Sequence, residues 1–218
     1  MNAAAAGIPA WAAQGEYRLR FQWGPVAAPA LSAGACVVVD VLRFTTAVEA
    51  AVSRGVIVYP YRWRDATAAA FAASVQARLA DGRDPAGPSL SPSSMDALAP
   101  GTSLVLPSPN GSTCAVLAEG PVTVIACGER WPDGSLRPSL EDLLGAGAIL
   151  DSMPGDSSPE ARAAIAAFRD GRHRLPETLT ECASGRELTG KGRAADVGYA
   201  AQLNVSTTVP VLTDGAFR

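Results

Sequence analysis

The chain has 218 residues, 48% hydrophobic and 18% charged, with a formal net charge of -3. That length suits one sizeable α/β domain or two small ones sharing a core, and the composition excludes a disordered chain. The absence of a basic block argues against a nucleic-acid partner.

A single histidine and four scattered cysteines (Cys36, Cys114, Cys127, Cys182), none paired at short spacing, argue against structural zinc. Thiols in apolar stretches such as "GACVVV" read as reduced and buried, which fits a cytoplasmic protein. No apolar run is long enough for a membrane span, and the amino terminus lacks the positive start of a signal peptide. The whole chain, 1–218, reads as one domain, with 1–15 expected to be poorly ordered.

In chain order, "EYRLRFQW" alternates polar and apolar residues, the pattern of a half-exposed strand. "ACVVVDV" is continuously apolar and β-branched, so it predicts a strand covered on both faces. "TTAVEAAVSRG" predicts a helix with a threonine cap and a stop at Gly55. "VIVYPYRW" is a second strand, and Asp65 should cap the alanine-rich helix that follows. The Pro-, Gly- and Ser-rich stretch "GRDPAGPSLSPSSMDALAPG" predicts an ordered loop, and "TSLVLPS" a strand. After it come a turn at "PNGST", a short helix at "CAVLAEG" and a buried strand at "VTVIACGE". "RWPDGSLRPS" reads as a long polar loop, "SLEDLLGAGAILDSM" as a helix capped by Ser139, and the rest as mainly helical. The tail "TTVPVLTDGAF" offers one last strand or lies across the surface. Strand–helix alternation of this kind argues for an α/β fold on a largely parallel or mixed sheet.

Ligands of such sheets bind beyond the carboxyl ends of the strands. Four segments place polar groups there. In "DVLRFTT", Asp40 ends a buried strand, where a carboxylate needs a partner or a cation. Arg43 can clamp an oxyanion, and Thr45 and Thr46 offer hydroxyls and helix-terminal amides. The alternative is an Asp40–Arg43 pair with threonine caps. In "SPNGST", the amides of Asn110, Gly111 and Ser112 could cradle an oxyanion, although Asn-Gly is also a common plain turn. In "ACGERW", Glu129 and Arg130 leave a strand together, as site residues or as a rim salt bridge. In "SLEDLL", Glu141 and Asp142 occupy a helix first turn, where acids are favoured by the helix dipole alone. His173, in a basic polar stretch, reads as solvated. Hard oxygen ligands of this kind suit Mg²⁺ better than zinc.

These segments, in this order, resemble the 2-phosphosulfolactate phosphatase family. The motifs are "VVVDVLRFTTAVEAAVSRG", "SPNGST", "ACGERWPDGSLRPSLEDLLGAGAI" and "SGRELTGKGRAADVGYAAQLNVSTTVPVLTDGAF", the last including Asp196. The resemblance implies a three-layer α/β/α fold and Mg²⁺-dependent hydrolysis of a small anionic phosphate ester, 2-phospho-3-sulfolactate. Its product feeds coenzyme M synthesis. On an enzymatic reading of these residues, Asp40, Arg43 and Glu129 are the expected catalytic groups, Thr45, Thr46, Asn110, Gly111, Ser112 and Arg130 the substrate-binding ones, and Asp40, Glu141 and Asp142 the metal ligands. Arg137, Arg186 and Arg193 are candidates for the sulfonate. The sequence departs from the family twice: only Ser89 and Ser91 remain of a Gly-Asn-Ser-Pro-like segment, and "CAVLAEGPVT" is too short for a strand and helix found there. The alternatives are a phosphatase of another small phosphorylated acid or sugar, or a non-catalytic anion-binding relative. An alanine-rich helical surface would suit a homodimer.

Overall fold

The computed structural model describes residues 9–25, 35–84, 87–111 and 123–218. Continuously apolar strands form a parallel three-stranded sheet of β1 (Arg20–Trp23), β6 (Thr123–Ala126) and β2 (Cys36–Val39), in the spatial order β1-β6-β2. A second, five-stranded sheet runs β4 (Arg78–Leu79), β5 (Ser103–Pro107), β3 (Ile57–Tyr61), β10 (Ala216–Phe217) and β9 (Leu212–Thr213). β3, β4 and β5 are parallel, while the tail strand β10 runs antiparallel to β3. Helices with mixed sheets make this an α/β fold, as the alternation predicts, with the strands divided between two sheets.

β2 is covered on both faces. Val37 and Val39 pack with Phe21, Val124, Leu150 and Ala164, and Val38 packs on the opposite cluster around Phe44, Val48, Met95 and Leu104. The first face is closed by α3 (Leu140–Asp151) and α4 (Pro159–Gly171). These two helices approach so closely that a Cβ on Gly147 would stand 2.1 Å from the Ala164 carbonyl oxygen, so only glycine fits there. Ser158 caps α4, accepting from the Ala161 amide at 3.0 Å, and Pro159 occupies the first turn.

The second cluster is built on α1 (Phe44–Val52), β3 and β5, with Met95 and Leu98 supplied by the Pro/Ser-rich loop. Residues 85–86 of that loop lie outside the described residues, and the rest contains a 3₁₀ turn at Pro92–Met95. α2 (Ala66–Ser74) is capped by Asp65, which accepts from the Thr67 amide at 2.9 Å. It is shorter than its alanine pattern suggests because Arg78–Leu79 leave it to pair with β5 as strand β4. Edge pairing there overrides helix propensity.

The polar loop "RWPDGSLRPS" is instead partly a hairpin of β7 (Glu129–Arg130) and β8 (Leu136–Arg137). Three short helices follow α4: α5 (Leu175–Glu181), α6 (Ala183–Gly190) and α7 (Ala194–Ala200). Leu175, Leu179 and Val197 from this group bury against Leu144 and Phe168. His173 is exposed in a 3₁₀ turn ahead of α5. Gln14 is buried and bonded to β1 in both directions, donating to the Phe21 carbonyl and accepting from its amide. The predicted helix at "CAVLAEG", together with Ser112 and Cys114, lies outside the described residues.

Candidate active site

Three strand ends, those of β2, β5 and β6, meet at one edge. Asp40 follows β2 and is 6% exposed. One carboxylate oxygen accepts from the Phe44 amide at the start of α1 (3.1 Å), and the other accepts from the Gly111 amide beyond β5 (2.9 Å). The second bond ties the two sheets together. It also explains the glycine, because a Cβ at position 111 would stand 2.3 Å from the Phe44 ring and 2.6 Å from the Asp40 carboxylate. Next to it, the Asn110 side-chain amide donates to Glu129 at 2.9 Å, joining the β5 turn to the end of β6. Asp40, Asn110, Gly111 and Glu129 thus converge, from three of the four segments singled out in the sequence.

The fourth segment braces the same edge. Asp142, 3% exposed in the first turn of α3, accepts from the Val41 amide with one oxygen and from the Gly128 amide with the other, each at 2.8 Å. It therefore clips the ends of β2 and β6 together. Glu141, 2% exposed, accepts from the Cys182 thiol at 3.4 Å. Burial first, then the Glu141 charge, pushes the Cys182 thiol up to about 11, so it stays protonated and serves as a donor.

The acids repel one another. Burial raises Asp40 to about 6 against its amide bonds, with the Glu141 charge adding to the rise. Burial, then the charge on Asp40, raises Glu129 to about 7, while Arg137 opposes the shift. Asp142 is raised well above the usual range by burial and then by Asp40 and Glu141. Negative charge thus exceeds the positive charge beside it.

Arg43 does not pair with Asp40. It forms an ion pair with the buried Asp196 of α7, which also accepts from the Ser91 hydroxyl. The opening motif, the shortened serine segment and the carboxyl-terminal segment therefore meet at one carboxylate. Thr45 and Thr46 spend their hydroxyls inside the turn, donating to the Asp40 and Val41 carbonyls at 2.8 and 2.7 Å. They anchor the strand-to-helix junction rather than cap the helix: the N-cap residue is Arg43, and the Leu42–Arg43 peptide is cis. Arg130 is exposed and donates to the Gly134 carbonyl of its own hairpin, so Glu129 and Arg130 do not form the alternative rim pair.

A cavity of about 230 Å³ opens beside Arg43, and Arg64, Arg83 and Arg193 line it together with Asp65, Asp81 and Ser89. Arg64 escapes a motif reading. Its signal is positional: it leaves the end of β3 just before the α2 cap, the same kind of junction that carries Asp40 and Arg43. Desolvation, then the charge of Arg43, lowers its pKa, while Asp40 and Glu129 act in the other direction. Arg137 stands near Glu129 and donates to Ser184 at 3.3 Å. Arg186 lines a larger, open hollow of about 480 Å³ with Thr180, Glu181 and Thr189, formed by α5 and α6 away from the strand ends.

Among the described residues, no three His, Cys, Asp or Glu groups converge as a metal cage. The donor chemistry still fits Mg²⁺, which usually takes one or two carboxylates and completes its shell with water and phosphate oxygens. Backbone amides engage both oxygens of Asp142 and both oxygens of Asp40, so each keeps only its remaining lone pairs for a cation. Glu141, which accepts from the Cys182 thiol, is the least engaged of the three, and its charge acts on Asp40.

An α/β scaffold with buried acids and arginines gathered at its strand ends is the class this architecture defines. Comparison sharpens it: a family model described as 2-phosphosulpholactate phosphatase matches residues 118–215. The chain is 33% identical over 79 residues to the 2-phosphosulfolactate phosphatase of Methanothermobacter thermautotrophicus, covering 36% of this chain and 34% of that protein. It is 34% identical over 88 residues to a protein of Gloeobacter violaceus named "Probable 2-phosphosulfolactate phosphatase", covering 40% and 36%. The alignments span about a third of these relatives' length. They show the resemblance to the 2-phosphosulfolactate phosphatase family that the motifs predict. The family-model match takes in Glu129, Glu141, Asp142 and Asp196, while Asp40, Arg43 and Asn110 lie before it. No helix among the described residues is long and apolar enough to cross a membrane.

Proposed function

We propose that the protein is a phosphoric monoester hydrolase acting on 2-phospho-3-sulfolactate, releasing phosphate and sulfolactate. The observation that carries this reading is the convergence of Asp40, Glu129 and the Asn110–Gly111 turn beside Arg43. Hydrolysis of a phosphate monoester needs a proton for the leaving alkoxide, an acceptor for the proton of water, and positive charge around the phosphoryl oxygens. Glu129, raised to about 7, keeps a proton near neutrality and donates it to the ester oxygen. Asp40, lower at about 6, accepts the proton from the attacking water or attacks phosphorus itself. Arg43 has five donors, of which the Asp196 pair uses only part, and its side chain lines the cavity. Asn110 fixes the Glu129 carboxyl, and Asp142 holds the strand ends in register.

Mg²⁺ belongs to the same proposal, held by Asp40 and Glu141, where it would neutralise phosphoryl oxygens and offset the excess negative charge. On this reading the protein works in the cytoplasm, where thiols such as Cys127 and Cys182 stay reduced.

The test is phosphate release from 2-phospho-3-sulfolactate and a panel of phosphorylated acids and sugars, with Mg²⁺ and with EDTA. Metal-dependent release selective for the sulfolactate ester is expected. Release from other esters alone moves the substrate. No release from folded protein overturns the catalytic reading in favour of an anion-binding relative.

A further inference from the structure

The arginine-lined cavity carries more positive charge than a single phosphate requires. Its internal pairs can be set aside one by one. Asp65 is committed to the α2 cap, Arg83 pairs with Asp81 at 3.2 Å, and Arg43 pairs with Asp196. Arg64 uses one guanidinium nitrogen on the Pro107 carbonyl at 3.3 Å and forms no ion pair with a described carboxylate, and neither does Arg193. Two guanidiniums therefore line one small hollow with no carboxylate among the described residues in ion-pair contact with either, although Asp40 and Glu129 act on Arg64 from farther off. Like charges held together in a concave, partly desolvated site are stabilised by an anion, and a planar guanidinium matches an oxyanion with two parallel donors. A volume of about 230 Å³ admits a short-chain acid and little more.

We propose that Arg64 and Arg193 form a second anion subsite, which holds an acidic group of the substrate other than its phosphate, a carboxylate or a sulfonate. This rests on the phosphatase reading above. In that arrangement the phosphate sits at the Asn110–Gly111 turn beside Arg43, and the second acid lies across Arg43 in the cavity. Desolvation first and then the Arg43 charge lower the Arg64 pKa, and the second of these agrees with the two guanidiniums flanking one ligand position. The adjoining serine-lined groove, which shares Ser89 and Arg193 with the cavity, supplies neutral donors beside the same subsite.

The experiment compares phenyl phosphate, 2-phospholactate and 2-phospho-3-sulfolactate as substrates of the wild type, Arg64→Gln, Arg193→Gln and the charge-retaining Arg64→Lys. Melting curves establish that each variant is folded. Expected is a fall of about tenfold or more in the preference for an acid-bearing ester over phenyl phosphate in both glutamine variants, through KM, with partial recovery in Arg64→Lys. Loss for both acid esters identifies the carboxylate as the group held, and loss for the sulfolactate ester alone identifies the sulfonate. A preference within threefold of wild type in both glutamine variants overturns the subsite.

Should no ester be hydrolysed, calorimetric binding of 3-sulfolactate separates the two readings. Binding to wild type that is weakened tenfold in Arg64→Gln keeps the subsite while the phosphatase reading fails. Binding that is absent from wild type, or equal in both proteins, overturns the subsite as well.

Discussion

The two sides of the candidate site are built by opposite rules. On the acid side the carboxylates are buried and saturated: both oxygens of Asp40 and both oxygens of Asp142 accept backbone amides, and those amides come from different segments, the start of α1 and the stretches just beyond β2, β5 and β6. Their charge is costly where it stands, which is why burial drives their pKa values up. On the arginine side the charges are exposed or half-exposed and only partly paired. The acid side therefore holds the fold together and depends on counter-charge, while Arg64 and Arg193, unlike the Asp196-paired Arg43, contribute little to the fold and are open to ligands. Substitution should separate the two sides: acid variants at Asp142 act on stability and at Asp40 on chemistry, whereas variants of Arg64 and Arg193 change chemistry alone.

The largest effect is expected at Asp40. Asp40→Asn should lower phosphatase activity by about 10²–10⁴-fold, the scale of losing a positioned acid–base or nucleophilic group. The fold should survive. An amide can still accept from one of the two backbone donors, and the loss of a buried charge offsets the other. Phosphate-release assays on protein with an unchanged circular dichroism spectrum check this, and near-normal turnover sinks the catalytic assignment. Asp142→Ala comes next and acts on stability. It orphans the Val41 and Gly128 amides, and each buried unsatisfied donor costs about 1–3 kcal/mol. With relief of repulsion set against that, the melting temperature should drop by about 5–10 °C. A drop under 2 °C would mean that Asp142 does not brace the two strands.

These two residues also show what was legible in the sequence. Asp40 stands out because a carboxylate at the end of "CVVV" has to be explained by a partner, and the strand-to-helix switch says where it sits. Asp142 could be read only as a helix-dipole acid or a metal ligand. Its actual partners, the amides of Val41 and Gly128, are 101 and 14 residues away, and a backbone amide leaves no trace in the sequence. The Arg43–Asp196 pair, across 153 residues, was hidden for the same reason. The longer strands β1, β2, β3, β5 and β6 were readable from alternating or β-branched apolar runs, whereas the two-residue strands β4, β7 and β8 were not. The division into two sheets was not, because it depends on pairing partners rather than on local pattern. Arg64 was missed because a lone arginine before a helix cap looks like any solvated side chain.

A smaller effect is expected at Gly111. Gly111→Ala drives a methyl group into the Phe44 ring and the Asp40 carboxylate, and the backbone must back away from both. Overpacking of this kind costs about 1–3 kcal/mol. It should also lengthen the amide bond that holds Asp40, so activity falls about tenfold or more while the melting point drops by a few degrees. Loss of stability with full activity would detach the turn from the chemistry.

The smallest effect is a pH dependence of stability, and its sign is set by the direction of the shifts. Asp40 and Glu129 hold protons in the folded protein up to about 6 and about 7, whereas the unfolded chain releases them near 3.8 and 4.5. Across that window the folded state binds more protons than the unfolded state, so this contribution to stability falls as pH rises. In EDTA the protein should melt about 2–5 °C higher at pH 5.5 than at pH 8. Glu129→Gln, which has no proton to lose, should flatten the upper part of that slope between pH 6 and 7.5, leaving the part due to Asp40. Mg²⁺ should raise the melting point more at pH 8, where the acids are ionised, than at pH 5.5. A profile that rises with pH in EDTA would mean that the acids are compensated by charge already in the fold, and the case for a cation at Asp40 and Glu141 would go with it.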